Sequence, residues 1–111
     1  MLQKDYPVAL PDYILTQEEF SPENCLFFDI ETTGLSWKTS HLYLLGAVFY
    51  ENGTWIHRQW FCQKPGEEKE VLLAFSELLS TKKLLFHYNG TTFDVPYLMH
   101  KYTFYQLPSP W

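Results

Sequence analysis

Apolar residues fall in short runs along this chain, and the period of the runs changes from strand-like to helix-like. Cys25-Leu26-Phe27-Phe28 is continuously apolar, Asp29-Ile30-Glu31 alternates, and Thr32-Thr33-Gly34 closes the run. Bounded in this way, it reads as a buried strand over 24–31. Leu42 to Tyr50 is a second strand by its β-branched and aromatic content. Glu51-Asn52-Gly53-Thr54 interrupts it, and Asn-Gly between two apolar stretches predicts a tight hairpin because both residues tolerate positive φ. Trp55 to Cys62 then folds back as the antiparallel partner. From Pro65-Gly66-Glu67-Glu68-Lys69-Glu70 onward the spacing becomes helical. Val71, Leu72, Phe75, Leu78 and Leu79 share a face, acidic residues crowd the first turn, and Lys82 and Lys83 follow the last. Leu84 to Tyr88 is a short apolar strand, and the helix before it predicts a parallel crossover beside the first strand. Pro96 suits the first turn of a closing helix with Val95, Leu98, Met99 and Tyr102 on one face. Residues 1–23, with Pro7, Pro11 and Pro22 and the polar run Thr16-Gln17-Glu18-Glu19, read as a lead-in across the domain with room for one short helical turn. The domain proper spans 24–111, and its order of elements is mixed α/β.

The chemistry gathers where two strands end. Strand side chains alternate, so Asp29 and Glu31 share one face while Phe28 and Ile30 share the other. Two carboxylates that close repel unless one is protonated or a cation lies between them. Oxygen ligands of this kind suit Mg²⁺ or Mn²⁺. Two solvated charges at a strand end fit the same three residues. Gly34 lets the chain turn sharply, with positive φ if the turn requires it. Asp94 stands at the start of the closing helix, just after the strand at 84–88. Taken alone, it fits a helix cap; taken with Asp29 and Glu31, it is a third carboxylate at the carboxyl ends of adjacent parallel strands, where open sheets build their sites. His87 reads as a core residue. The rings of Trp37, Tyr43, Trp55 and Trp60 have the faces to stack on bases but equally the bulk to pack, and none is assigned to binding.

Bulk properties narrow the class. The chain has 111 residues, 46% hydrophobic and 19% aromatic, enough for one packed domain. No apolar run reaches membrane-spanning length, and the N-terminus lacks a charged-then-apolar leader, so a cytoplasmic protein without membrane contact is expected. The formal net charge of −5 argues against broad charge-driven binding to nucleic acid. It does not argue against a metal-dependent nuclease, whose bound cations invert the local sign of charge. Cys25 and Cys62 fit no metal-ligand spacing and read as buried thiols.

Phe28-Asp29-Ile30-Glu31-Thr32-Thr33-Gly34-Leu35 together with Asn89-Gly90-Thr91-Thr92-Phe93-Asp94 resembles the first two exonuclease motifs of the DEDD superfamily of ribonuclease H-like exonucleases. Gly46, the Pro65-Gly66-Glu67-Glu68 helix start, Asn89 through Pro96 and Leu107-Pro108 look more narrowly like the predicted exonucleases of YprB type. The resemblance runs from about Cys25 to the C-terminus. It implies a ribonuclease H-like mixed sheet. Counting the strand at 24–31 as the first, the order is 3-2-1-4, with the family's fifth strand and last helix missing. That order puts a strand between Cys25 and Cys62, a separation of about 9–10 Å, so no disulfide is expected.

The resemblance further implies two-metal hydrolysis of phosphodiesters at single-stranded or frayed DNA or RNA ends, running 3′ to 5′. Asp29, Glu31 and Asp94 would be catalytic and would hold Mg²⁺ or Mn²⁺. Thr32, Thr33 and Leu35 would lie against the terminal nucleotide, and Asn89 would support the site. Such enzymes carry a fourth carboxylate on a later helix, with a His or Tyr just before it. No Asp or Glu follows Asp94 here, so the chain as given is expected to be weak or inactive and to be part of a longer nuclease domain or a shortened relative. Without a fifth strand, 84–88 becomes an exposed edge, and self-association through it is expected. The competing reading is a non-catalytic ribonuclease H-like module that binds nucleic acid or a protein partner. A third, an unrelated metal-dependent phosphoesterase, fits the carboxylates but not Thr32-Thr33-Gly34-Leu35.

Overall fold

The computed structural model describes residues 1–9, 21–87 and 93–111. Five strands form one sheet: β1 (Leu2–Val8), β2 (Cys25–Thr32), β3 (Leu42–Glu51), β4 (Thr54–Phe61) and β5 (Leu84–His87). Two helices follow the hairpin and the last strand, α1 (Glu68–Leu79) and α2 (Val95–Phe104). The sheet order is β1-β4-β3-β2-β5. The pairs β2–β3, β3–β4 and β4–β1 are antiparallel, and β5 lies parallel to β2. The four strands expected from the sequence thus take the expected order, in a mixed α/β arrangement.

Local chemistry explains the elements. Asn52 (φ 51°) and Gly53 (φ 79°) make the β3–β4 turn with both residues left-handed, as a type I′ hairpin needs. On β2, Leu26, Phe28 and Ile30 face a core completed by Leu45 and Ala47 of β3, Trp60 of β4, Val71, Leu72 and Phe75 of α1, and Tyr97, Leu98 and Tyr102 of α2. Both helices therefore pack on the Phe28 face and leave the Asp29 face of β2 to the site. The helices are also tied to each other, since the Tyr102 hydroxyl donates to the Leu72 carbonyl (2.7 Å) and shares a hydrogen bond with Ser76.

Two features depart from the sequence reading. Residues 2–8, expected within a lead-in, form an edge strand paired with β4 along its whole length; the short helical turn for which the lead-in had room falls at its end, at Pro22–Asn24. β1 escapes pattern reading because six of its seven residues are exposed and it shows no alternation. What holds it is pairing: Asp5 receives two hydrogen bonds from Arg58 (2.8 and 2.9 Å), and Gln3 accepts the indole N–H of the buried Trp60 (3.0 Å). On α2 the buried face is Tyr97, Leu98, Lys101 and Tyr102, whereas Met99, expected inside, is 49% exposed. Both thiols are free and buried. No helix among the described residues is long and apolar enough to cross a membrane.

Candidate functional site

β2 carries Asp29 and Glu31 out of the core on the face away from Phe28 and Ile30, both exposed. In the antiparallel register Asp29 lies opposite Gly46 and Glu31 opposite Leu44, and a bulge between Glu31 and Thr32 then shifts the pairing to Leu42. Bulges at strand ends re-aim side chains and end pairing. The one here lies immediately after the second carboxylate. Asp29 Oδ1 accepts the Ile30 backbone N–H at 3.0 Å.

Asp94 immediately precedes α2 and is only 3% exposed. It has helical dihedrals (φ −60°, ψ −50°) and makes no side-chain capping bond, so it does not serve as the helix cap its position suggested. Its carboxyl lies instead against Asp29 and the Ile30 backbone N–H. Burial, then contact with the Asp29 carboxylate, pushes its pKa up to about 7, with a smaller push from Glu31. Its Oδ2 has no hydrogen-bond partner among the described residues. A buried, unsatisfied acceptor facing a second carboxylate calls for a proton or a cation. Among the described residues no three His, Cys, Asp or Glu side chains close into a ready-made metal cage.

The segment after β2 is a closed loop. Thr33 N–H donates to the His41 carbonyl (3.0 Å), and His41 N–H donates to Thr33 Oγ1 (3.0 Å). Thr32 Oγ1 donates to the Gly34 carbonyl (2.7 Å), and Leu35 at the tip is 87% exposed. Gly34 does not have positive φ, contrary to one option the sequence left open; a Cβ there would lie 3.2 Å from the Ser40 Cβ, so close approach is what favours glycine. Asn89 and Tyr88 lie outside the described residues.

Sequence reasoning missed the anchor of this loop. Ser40 is buried, its Oγ donates to the Ser36 carbonyl (2.6 Å), and it shares a hydrogen bond with the Tyr97 hydroxyl (2.9 Å). Lys101 Nζ donates to the Ser40 carbonyl (2.9 Å) and pairs with Glu68 Oε2 (3.0 Å), which also accepts the Leu42 N–H (2.8 Å). Tyr105 donates to the same carboxylate, and burial followed by that contact pushes its hydroxyl pKa up. The signal was present: Glu68 lies one turn before Leu72, and Lys101 one turn after Tyr97, so each charge sits on a buried stripe.

The RNase H superfamily profile matches residues 26–110, from the second residue of β2 to just short of the C-terminus. An uncharacterized protein of Bacillus subtilis (strain 168), YprB, is 32% identical over 93 residues. That alignment covers 82% of this chain and 22% of the relative's length.

Proposed function

The chain belongs to the RNase H superfamily, and on that premise we propose that it is a metal-dependent nuclease domain of the DEDD type, hydrolysing phosphodiesters at nucleic-acid ends from 3′ to 5′. One observation carries the reading. Asp94 is buried, makes no cap, and presents an unpartnered carboxylate oxygen beside Asp29 at the end of β2. A purely structural aspartate would have no reason to be held there.

Nucleases of this fold generally use divalent metals, and Asp29, Glu31 and Asp94 are the groups that would hold Mg²⁺ or Mn²⁺ here. When bound, such ions supply Lewis-acid chemistry at the phosphate and an activated water. The chain's own part is placement. Asp29 is oriented by the Ile30 N–H. Asp94 is fixed by α2, which Tyr102 anchors on α1. Thr32, Thr33 and Leu35 belong to a loop whose hydrogen bonds hold its shape before substrate arrives, so less ordering is required on binding. Leu35 is the exposed apolar residue to meet a terminal base or sugar.

The sequence contains no Asp or Glu beyond Asp94, so a four-carboxylate set is one short within it, and the reading for this chain alone is weak or absent turnover. The second reading, from a different class, is a non-catalytic module that binds nucleic-acid ends or a protein partner. Calorimetric titration with Mn²⁺, paired with hydrolysis of a 5′-labelled single strand, separates them. Mn²⁺ binding that is lost in Asp29→Asn, with shortening from the 3′ end slow or undetectable for this chain alone, is the expected result. No heat of binding at millimolar Mn²⁺ overturns the metal site and leaves the non-catalytic reading.

A further inference from the structure

The three large apolar side chains most exposed to solvent lie on one loop and one helix. Leu35 is 87% exposed, Phe104 62% and Met99 49%, and all three lie on the loop that continues β2 or on the outer side of α2. Between them is an ordered stack. The His100 imidazole lies flat on the Trp37 indole, with centroids 5.2 Å apart and planes within 6°. Phe104 meets the same indole at 6.1 Å with its ring tilted by 59°. Lys38 Nζ sits 5.9 Å from the indole centroid. A cleft of about 340 Å³ opens next to the stack, bordered by Trp37, Lys38, His41, Lys101 and Phe104.

Charge sets this face apart. The chain has 13 Asp and Glu residues against 8 Lys and Arg, yet Thr32 to His41 and Val95 to Pro110 contain none of the acids. The acidic side chain that borders the cleft, Glu68, is buried and neutralised by Lys101. A polyanion could lie here without meeting an exposed carboxylate.

We propose that the outer side of α2 and the Leu35–His41 loop form a track for a single strand of nucleic acid, whose bases stack on the Trp37–His100–Phe104 cluster. The inference rests on the nuclease reading, because it takes the strand end to be at Asp29 and Asp94. Spacing agrees with that placement. At the rise of an α-helix, His100 and Phe104 stand about 9 and about 15 Å along the axis from Asp94. Those distances correspond to roughly three and four stacked bases at about 3.4 Å each. Aromatic faces accept every base, so the track selects for unpaired bases rather than for sequence. A duplex hides the faces of its bases within its own stack and gains nothing from the cluster.

The test is fluorescence anisotropy of a labelled short oligothymidylate on the intact chain, with Ca²⁺ in place of Mn²⁺. An abasic strand of the same length and a blunt duplex serve as comparisons. His100→Ala and Phe104→Ala change exposed side chains and leave the core intact; Trp37→Leu is a third, more buried variant. The expected result is tighter binding of oligothymidylate than of the abasic strand, weakened about tenfold in the His100→Ala/Phe104→Ala protein, with abasic binding unchanged. Equal affinity for the abasic strand, unchanged affinity in the double variant, or preference for the duplex overturns the track. Mn²⁺ titration calorimetry is run on the same proteins: no heat of binding with base-dependent binding of the strand retained removes the catalytic reading and leaves the track standing.

Discussion

Glu68 and Lys101 meet at 3.0 Å inside the protein, one from the first turn of α1 and the other from the middle of α2. Their shared task is the loop between β2 and β3: Lys101 holds the carbonyl of Ser40, and Glu68 holds the N–H of Leu42. A buried pair of this kind gains little over an apolar substitute, but removing one partner strands the other charge.

Lys101→Met is therefore expected to lower stability by about 3–5 kcal/mol. Glu68→Gln/Lys101→Met, which leaves no unpaired charge, is expected to fall well short of the sum of the single changes. Urea denaturation of the three proteins measures this. Strict additivity would show that the two side chains act independently and would remove the pair as the anchor of the loop.

Asp94 makes the metal-free protein sensitive to pH. Its pKa rises from 3.8 to about 7 on folding, so the native state binds the proton more tightly than the unfolded chain. The contribution is fully present below pH 3.8 and is lost as pH rises through 7. The loss over that window is at most about 4 kcal/mol. Thermal unfolding in EDTA should show the decline in the native protein and its attenuation in Asp94→Asn, which should be the more stable of the two at pH above 7 and should lose Mn²⁺ binding. A variant destabilised at high pH would mean that the carboxylate is satisfied as it stands.

How far the sequence reveals these features depends on what each element is made of. β2, the Asn52-Gly53 hairpin and α1 are held by apolar burial and left-handed turn residues, and both leave a pattern in the chain. β1 is held by hydrogen bonds and by the Asp5–Arg58 pair, which have no period. Glu68 looked like an ordinary acid at a helix start, because only its partner 33 residues away makes it a core residue. For the candidate site, the alternation of Asp29 and Glu31 was readable. Whether Asp94 caps its helix or faces Asp29 was not, since the choice depends on the backbone angles of one residue.

Gly34, in the loop after β2, and Gly46, within β3, should differ in tolerance. A Cβ on Gly34 would press on Ser40 Cβ at 3.2 Å, and Ser40 is buried and hydrogen-bonded on several sides. A Cβ on Gly46 would meet His57 Nε2 at 3.2 Å, the far end of a side chain that can swing away. Gly34→Ala is expected to cost about 1–3 kcal/mol and Gly46→Ala less than about 1 kcal/mol, since an interior strand glycine is itself unfavourable. Chemical denaturation of both decides it, and the reverse order would refute the argument.

The sheet's two edges are unlike. β1 presents Lys4, Asp5 and Pro7, the kinds of residue that discourage strand addition. β5, Leu84–His87, carries no charged residue other than a histidine and ends the sheet among the described residues. Association of two copies through β5 is expected at tens of micromolar. Sedimentation velocity checks it: a single monomer boundary across that range would count against the edge, whereas a dimer that forms with rising concentration would support it.

The pairing of Leu2 with Phe61 and of Val8 with Trp55 also sets a schedule. Residues 2–8 are synthesised before all of their partners, and they have too few apolar contacts to hold a place alone. The hairpin of β3 and β4 joins neighbours in sequence and can close quickly, whereas contacts spanning roughly half the chain must wait for a long loop to close. Assembly of the sheet therefore runs against the direction of synthesis at this edge, with the earliest strand made docking after the hairpin that receives it.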